Sequence, residues 1–290
     1  MSALYGLFDL LPRLENLLDR YCSEFLKSSY AEVLFDCAPE GISTLLGGGR
    51  EMSKMDTESV DIILTSPPYN IIRPSSTDRG YDLYKDGMSN DEYSDWCVEI
   101  FNNFDRILKK DGCILWNMSY GCENTECMNL TVADIIRKTN FTLADIIVWK
   151  KSSATPNNVS KNKLTRIVEF VYVFCRRDEF LTFNTNKKVT SKRSSGQDIY
   201  ENVFNFIQAP NNDGSTELNK ATFSTKFVRS LLQMYAMPNS VVYDPFMGTG
   251  TTAIGACMEN MSYIGSELSD KQTEYARKRV RVHTDQLTLF

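Results

Sequence analysis

Leu7, Leu10, Leu11, Leu14, Leu17, Leu18, Tyr21 and Phe25 recur at spacings of three and four, which predicts an amphipathic helix over residues 7–26. Pro12 fits only its first turn or a break. Beyond this helix the pattern changes. Short apolar runs predict strands at Glu32–Phe35, Val60–Thr65, Cys113–Asn117, Ala144–Trp149, Val168–Phe174, Val241–Asp244 and Ser262–Ser266. Helical periodicity between them predicts helices at Asp91–Lys109, Thr131–Thr139, Lys226–Tyr235, Thr251–Glu259 and Asp270–Val282, with Asp91 as the first N-cap and Asp111-Gly112 as a turn. Strands alternating with helices imply an α/β protein, a mostly parallel twisted sheet with helices on both faces. Val168–Phe174 follows a polar linker and is a candidate antiparallel strand. Residues 152–163 and 184–214 read as long loops, which in a compact domain are usually functional.

Composition narrows the class. With 42% hydrophobic and 24% charged residues, the 290-residue chain can bury a large core. No apolar run approaches the ~18 residues of a membrane span. Met1–Pro12 has no basic segment before its apolar residues, so no secretory signal is expected. Eight cysteines are scattered along the chain and favour a reducing compartment. Cys122 and Cys127 lack a second pair, and the single histidine, His283, lies near the end. A closed zinc site and a histidine-based nucleophilic site are therefore not expected, and no metal is assigned.

The net charge of −5 does not point to nucleic acid, but its distribution does. Residues 150–193 hold 11 Lys and Arg against 3 Asp and Glu. A basic segment on an acidic body is an electrostatic footprint for a polyanion.

Two strings carry chemistry. Val241–Asp244 is a buried strand that leads into Pro245-Phe246-Met247-Gly248-Thr249-Gly250-Thr251-Thr252-Ala253 and then a helix. Gly248, Gly250 and Ala253 fit G-x-G-x-x-G/A, a tight turn that lets a ligand approach the backbone at a helix N-terminus. Glu267 ends the next strand, 19 residues beyond Gly248, where an acid can accept from ribose hydroxyls. Asp244 and bulky Phe246 stand just before the glycines, and a carboxylate there would repel a pyrophosphate. S-adenosylmethionine has a sulfonium, an ammonium and a ribose but no phosphate. Asp244 can hold its ammonium and Glu267 its ribose, so electrostatics favours it over NAD.

The second string is Thr65-Ser66-Pro67-Pro68-Tyr69-Asn70, directly after strand Val60–Thr65. Strand C-terminal ends line the ligand crevice of an open parallel sheet. Two prolines remove two N–H donors and stiffen the turn. Ser66 and the Pro67 carbonyl can accept the hydrogens of an exocyclic amino group while Tyr69 stacks on the ring. Such bonds draw the nitrogen lone pair out of conjugation and make it nucleophilic.

Together, Ser66-Pro67-Pro68-Tyr69 and Asp244-Pro245-Phe246-Met247-Gly248-Thr249-Gly250-Thr251-Thr252 resemble the S-adenosylmethionine-dependent DNA amino-methyltransferases, which methylate cytosine N4 or adenine N6. The catalytic motif precedes the cofactor motif, which looks like the beta-class order. The resemblance runs from about Glu32 to Val282 and implies a Rossmann-like methyltransferase fold. It implies a catalytic domain over 29–290 with a basic, DNA-facing target-recognition insert at about 150–218, behind an N-terminal helical extension over 1–28. It further implies that Ser66, Pro67, Pro68 and Tyr69 handle a flipped base and that Asp244, Phe246, Gly248, Gly250, Thr251 and Glu267 hold the cofactor. Candidate contacts to double-stranded DNA are Lys150, Lys151, Lys161, Lys163, Arg176, Arg177, Lys187, Lys188, Lys192 and Arg193. Because the insert is short, a homodimer is considered, in which a second subunit helps to read the site. A cognate restriction endonuclease as genetic partner, and a cytoplasmic, nucleoid-associated location away from membranes, are further family expectations.

Ser66 favours cytosine N4, since serine at this position is associated with cytosine enzymes, with adenine N6 as the alternative. Carbon-5 cytosine methylation is disfavoured because the chain has no Pro-Cys pair. A catalytically silent DNA-binding protein on the same fold is a remoter reading.

Overall fold

The computed structural model describes residues 45–46, 52, 55–70, 87–119, 125–154, 156–158, 161–162, 164–213 and 222–287. The helix expected over 7–26 and the strand expected at Glu32–Phe35 lie outside the described residues, as does Lys163.

An eight-stranded sheet forms the centre. Its strands are β1 (Leu45–Leu46), β2 (Val60–Thr65), β3 (Leu108–Met118), β4 (Phe141–Lys151), β5 (Val168–Arg176), β8 (Phe206–Ala209), β9 (Val241–Asp244) and β10 (Ser262–Ser266). Their spatial order is β1-β10-β9-β2-β3-β5-β4-β8. Every neighbouring pair is parallel except the two that involve β5, which runs against both β3 and β4. The polar linker before β5 thus returns the chain along the sheet in the reverse direction, as its position predicted. A separate hairpin, β6 (Val189–Lys192) with β7 (Asp198–Tyr200), falls in the stretch read as loop. Its residues are almost all exposed, so they carry no apolar alternation to betray a strand.

Successive residues of a strand face opposite sides of the sheet, and the core divides accordingly. Leu64, Leu115, Val173 and Val242 face helices α3 (Thr225–Tyr235), α4 (Thr251–Met258) and α5 (Asp270–Leu287). Ile114, Trp116, Phe174 and Tyr243 face α1 (Asn90–Ile107) and α2 (Thr125–Lys138). The protein is therefore the expected mostly parallel sheet with helices on both faces.

Two boundaries differ from the sequence reading. Helix α1 is capped by Ser89 rather than Asp91. The Ser89 hydroxyl accepts the Glu92 amide at 3.2 Å and Glu92 accepts the Ser89 amide at 2.8 Å, a reciprocal pair that satisfies two N-terminal donors. Asp111-Gly112 lies inside β3 rather than before it, because the β2–β3 register slips between Val60 and Ile62 and absorbs the extra residues as a bulge. Only glycine fits there, since a Cβ on Gly112 would lie 2.6 Å from the Asp61 carbonyl oxygen.

Candidate functional site

β2 and β9 are adjacent and parallel at the middle of the sheet. From β2 the chain passes through α1 to β3 on one side. From β9 it passes through α4 to β10 on the other. The direction of winding thus reverses between β2 and β9, and in such sheets the crevice beyond the strand C-termini at this reversal receives ligands. Both chemical strings follow these two strands.

The cofactor-type turn begins at Asp244, whose side chain is 3% exposed. Its carboxylate accepts from Thr65 Oγ1 at 2.5 Å, Thr252 Oγ1 at 2.6 Å and the Phe246 amide at 3.0 Å. Burial pushes its carboxyl up to about 6, against the pull of the three donors. The expectation that Asp244 holds an ammonium group is corrected here: the carboxylate is part of the frame of the turn and not of the crevice wall. Gly248 and Gly250 follow with φ of 54° and 83°, a left-handed conformation that favours glycine. Gly250 caps α4, and a Cβ on it would meet the Ala276 Cβ at 3.0 Å.

Glu267 closes the turn from the end of β10. It accepts the Gly248 amide at 2.8 Å and the Ser269 amide at 2.9 Å, and burial raises its carboxyl above the usual range. A carboxylate offers about four acceptor positions, so it can still receive ribose hydroxyls. Thr251 is buried, and its hydroxyl accepts Arg279 Nη1 at 2.9 Å. The same nitrogen reaches the Thr249 carbonyl at 3.1 Å. Arg279, on α5, thus clamps the glycine turn from outside, a role that no local signal in its sequence announces. Phe246 is half-buried, its ring 5.6 Å from Trp96 and 6.4 Å from Trp116.

In the proline turn, Ser66 and Tyr69 are half-buried and their hydroxyl oxygens lie 2.7 Å apart. Tyr69 also donates to Asn117 Oδ1 at 3.0 Å, and Asn117 Nδ2 donates to the Phe170 carbonyl at 3.1 Å. Tyr93, on α1, donates to the Pro68 carbonyl at 2.6 Å and so anchors the turn. Asn70, at φ 52°, is buried and accepts the Gly87 and Met88 amides at 3.0 and 2.9 Å. Asn117 was missed by the sequence reading. Its signal is a polar residue ending the otherwise apolar run Cys113-Ile114-Leu115-Trp116, at the crevice end of a buried strand.

The basic candidates divide between the two ends of the sheet. Lys150 and Lys151 end β4 on the crevice side, and the 152–167 connection that follows carries Lys161, Lys163 and Arg166 without any Asp or Glu. Lys151 ion-pairs with Glu169 and lies 5.1 Å from the Trp149 ring centre. Arg176 and Arg177 are at the opposite end, where antiparallel β5 finishes. Arg176 pairs with Asp105 at 2.8 Å and donates to the carbonyls of Asp105, Leu108 and Lys109. Arg177 donates to the carbonyls of Ile136 and Phe141. Both therefore satisfy the orphan carbonyls that end α1 and α2, and the DNA-contact expectation for them is corrected. Lys187 and Lys188 follow Asn186, which bonds the last-turn carbonyls of α3, again away from the crevice. Lys192 pairs with Asp198 across the hairpin at 3.2 Å, and Arg193 is exposed at its tip.

The model of the family described as "DNA methylase" for N6 and N4 amino groups matches residues 60–278. The DNA adenine methyltransferase YhdJ of Escherichia coli (strain K12) is 24% identical over 249 residues, 80% of this chain and 80% of that protein. The structure of the PvuII DNA methyltransferase (cytosine-N4-specific) superposes with a TM-score of 0.64 at 16% identity, covering 89% of this chain and 96% of the other. That of the TTHA0409 DNA modification methylase of Thermus thermophilus, complexed with S-adenosyl-L-methionine, gives 0.55 at 18% identity, covering 82% and 94%. The chain belongs to the N6/N4 DNA methylase family and is a DNA methyltransferase.

Proposed function

We propose that this enzyme moves a methyl group from S-adenosylmethionine to the exocyclic amino group of a base flipped out of double-stranded DNA, with cytosine N4 as the acceptor. The observation that carries this reading is the meeting of the Ser66–Tyr69 turn and the glycine turn at one crevice, joined by the Thr65–Asp244 bond. S-adenosylmethionine, when bound, supplies an electrophilic methyl on a sulfonium. The glycine turn admits it to the helix N-terminus, Phe246 offers it an apolar wall, and Glu267 accepts its ribose hydroxyls. Tyr69 stacks on the base, while Ser66 Oγ and the Pro67 carbonyl accept the amino hydrogens and turn the nitrogen lone pair toward the methyl. The N–C bond forms as the methyl–sulfur bond breaks, its electron pair stays on sulfur, and one amino proton leaves to water.

A base inside a duplex cannot reach this crevice, so it must be extruded. Lys150, Lys161, Lys163 and Arg166 lie on the segment that leaves and re-enters the sheet at the crevice end, where phosphates flanking the base would pass. Ser66 is the ground for choosing cytosine. The test is methylation of unmethylated duplex DNA with labelled cofactor, followed by digestion to nucleosides and mass spectrometry. N4-methylcytosine is expected. N6-methyladenine would keep the reaction and overturn the choice of base. No methylated nucleoside, with cofactor binding verified, would overturn the reading.

A further inference from the structure

We infer that Asn117 is a positioning residue that sets the direction of the Ser66–Tyr69 hydrogen bond, so that Ser66 meets the target amino group as an acceptor; this rests on the methyl-transfer reading above. Asn117 is fully buried (0% exposed) near the crevice end of β3. Its Nδ2 donates to the Phe170 carbonyl on neighbouring β5 at 3.1 Å. The opposite amide orientation would set Oδ1 against that carbonyl oxygen, so the side chain can point only one way. Oδ1 thereby faces Tyr69 and accepts its hydroxyl at 3.0 Å.

A phenol has one proton. With that proton committed to Asn117, Tyr69 Oη meets Ser66 with lone pairs alone, and in the 2.7 Å contact it is Ser66 that donates. The Ser66 proton is then held away from the crevice, and its lone pairs are left for amino hydrogens. The direction matters chemically. A serine proton aimed at the amino nitrogen would engage the very lone pair that must attack the methyl, whereas a serine lone pair bound to an amino hydrogen releases it. The chain Phe170 carbonyl, Asn117, Tyr69, Ser66 therefore converts a hydroxyl able to bond either way into a fixed acceptor.

Single-turnover methyl transfer from labelled S-adenosylmethionine to unmethylated genomic DNA, with enzyme in excess, tests this in a double-mutant cycle. Asn117→Leu keeps the side-chain volume and removes both hydrogen bonds; Tyr69→Phe keeps the ring and removes the acceptor for the Ser66 proton. Each is expected to slow transfer by about 10-fold with Ser66 present. In a Ser66→Ala background each is expected to slow it by less than about 2-fold, because the group they orient is gone. Cofactor affinity, by calorimetry, is expected to stay at the wild-type value throughout. The same loss in both backgrounds would show a merely structural role and overturn the inference. So would a wild-type rate in Tyr69→Phe, which decides the matter even if Asn117→Leu does not fold. Wild-type enzyme that makes no methylated nucleoside would remove the methyl-transfer reading and this inference with it. Product from the wild type without coupling would remove the inference alone.

Discussion

The Thr65 hydroxyl donates to Asp244 Oδ1 at 2.5 Å, joining residues 179 positions apart. The ladder between β2 and β9 pairs only Ile62 with Val242 and Ile63 with Tyr243. The side-chain bond therefore carries the contact past the ladder to the strand ends, where the proline turn and the glycine turn begin. Thr252 holds the other carboxylate oxygen from the first turn of α4, so one buried acid fixes both turns.

That role predicts a pH signature. The Asp244 carboxyl is raised to about 6 from an ordinary 3.8, chiefly by burial. An acid whose folded pKa is raised binds its proton more tightly in the folded state, so its ionisation costs stability as pH rises from about 4 to about 6. Asp244→Asn removes this dependence while keeping an acceptor for Thr65. Urea unfolding should show the variant gaining on the wild type by about 1 kcal/mol between pH 5 and pH 8. Affinity for S-adenosylmethionine should stay within about threefold, since no contact of the ammonium with Asp244 is expected; a loss beyond tenfold (about 1.4 kcal/mol) would restore that contact.

Gly250→Ala should damage the glycine turn locally. The new Cβ must adopt φ 83° and meet Ala276 at 3.0 Å. The backbone conformation alone costs about 1–2 kcal/mol. A lowered melting temperature together with weakened cofactor binding by calorimetry is the expected pair of results. Unchanged binding would mean that the turn does not contact the cofactor.

Tyr69→Ala should separate binding from turnover. The tyrosine belongs to the proline turn, and its hydroxyl is engaged by Ser66 and Asn117 rather than by the glycine turn, so cofactor affinity should hold. Losing a base–aromatic stack worth about 1–3 kcal/mol, together with the partner of Ser66, should remove most methyl transfer. Wild-type turnover in this variant would sink the stacking role.

The two turns were legible in the sequence because each is a contiguous string whose chemistry follows directly from its order: strand, prolines, aromatic; strand, acid, glycines, helix. The parallel sheet was legible because buried strands are apolar on both faces. What escaped was whatever a distant element supplies. Arg279 meets Thr251 from 28 positions away and Asn117 meets Tyr69 from 48, and neither pairing has a local pattern. Arg176 and Arg177 misled for a related reason. A count of positive charge cannot separate an arginine that faces solvent from one whose guanidinium ends a helix. The edge strand β8 was hidden by its length, four residues with only Ile207 and Ala209 buried.

Arg176→Ala tests that distinction. The side chain is 12% exposed and bonds three carbonyls besides Asp105. Removing it strands those carbonyls at the junction of α1 and β3 and should cost about 2 kcal/mol or more. The melting temperature should fall while the salt dependence of DNA binding is unchanged. A changed salt slope at unchanged stability would return Arg176 to the DNA interface.

The basic residues at the crevice end should behave in the opposite way. Lys150 ends β4 beside the crevice and Lys161 is exposed on the connection that follows. A lysine on a phosphate releases counterions, and its loss lowers the slope of log affinity against log salt by about 0.9 for each contact. Lys150→Ala with Lys161→Ala should therefore weaken DNA binding across all sequences and flatten the slope by about 2. Lys187→Ala with Lys188→Ala should leave the slope in place, because Asn186 ties their backbone to the end of α3 away from the crevice. Fluorescence-anisotropy titrations over a series of salt concentrations would measure both pairs. Flattening by the second pair and not the first would mean that DNA approaches along the hairpin, and the crevice-end connection would lose its assigned role.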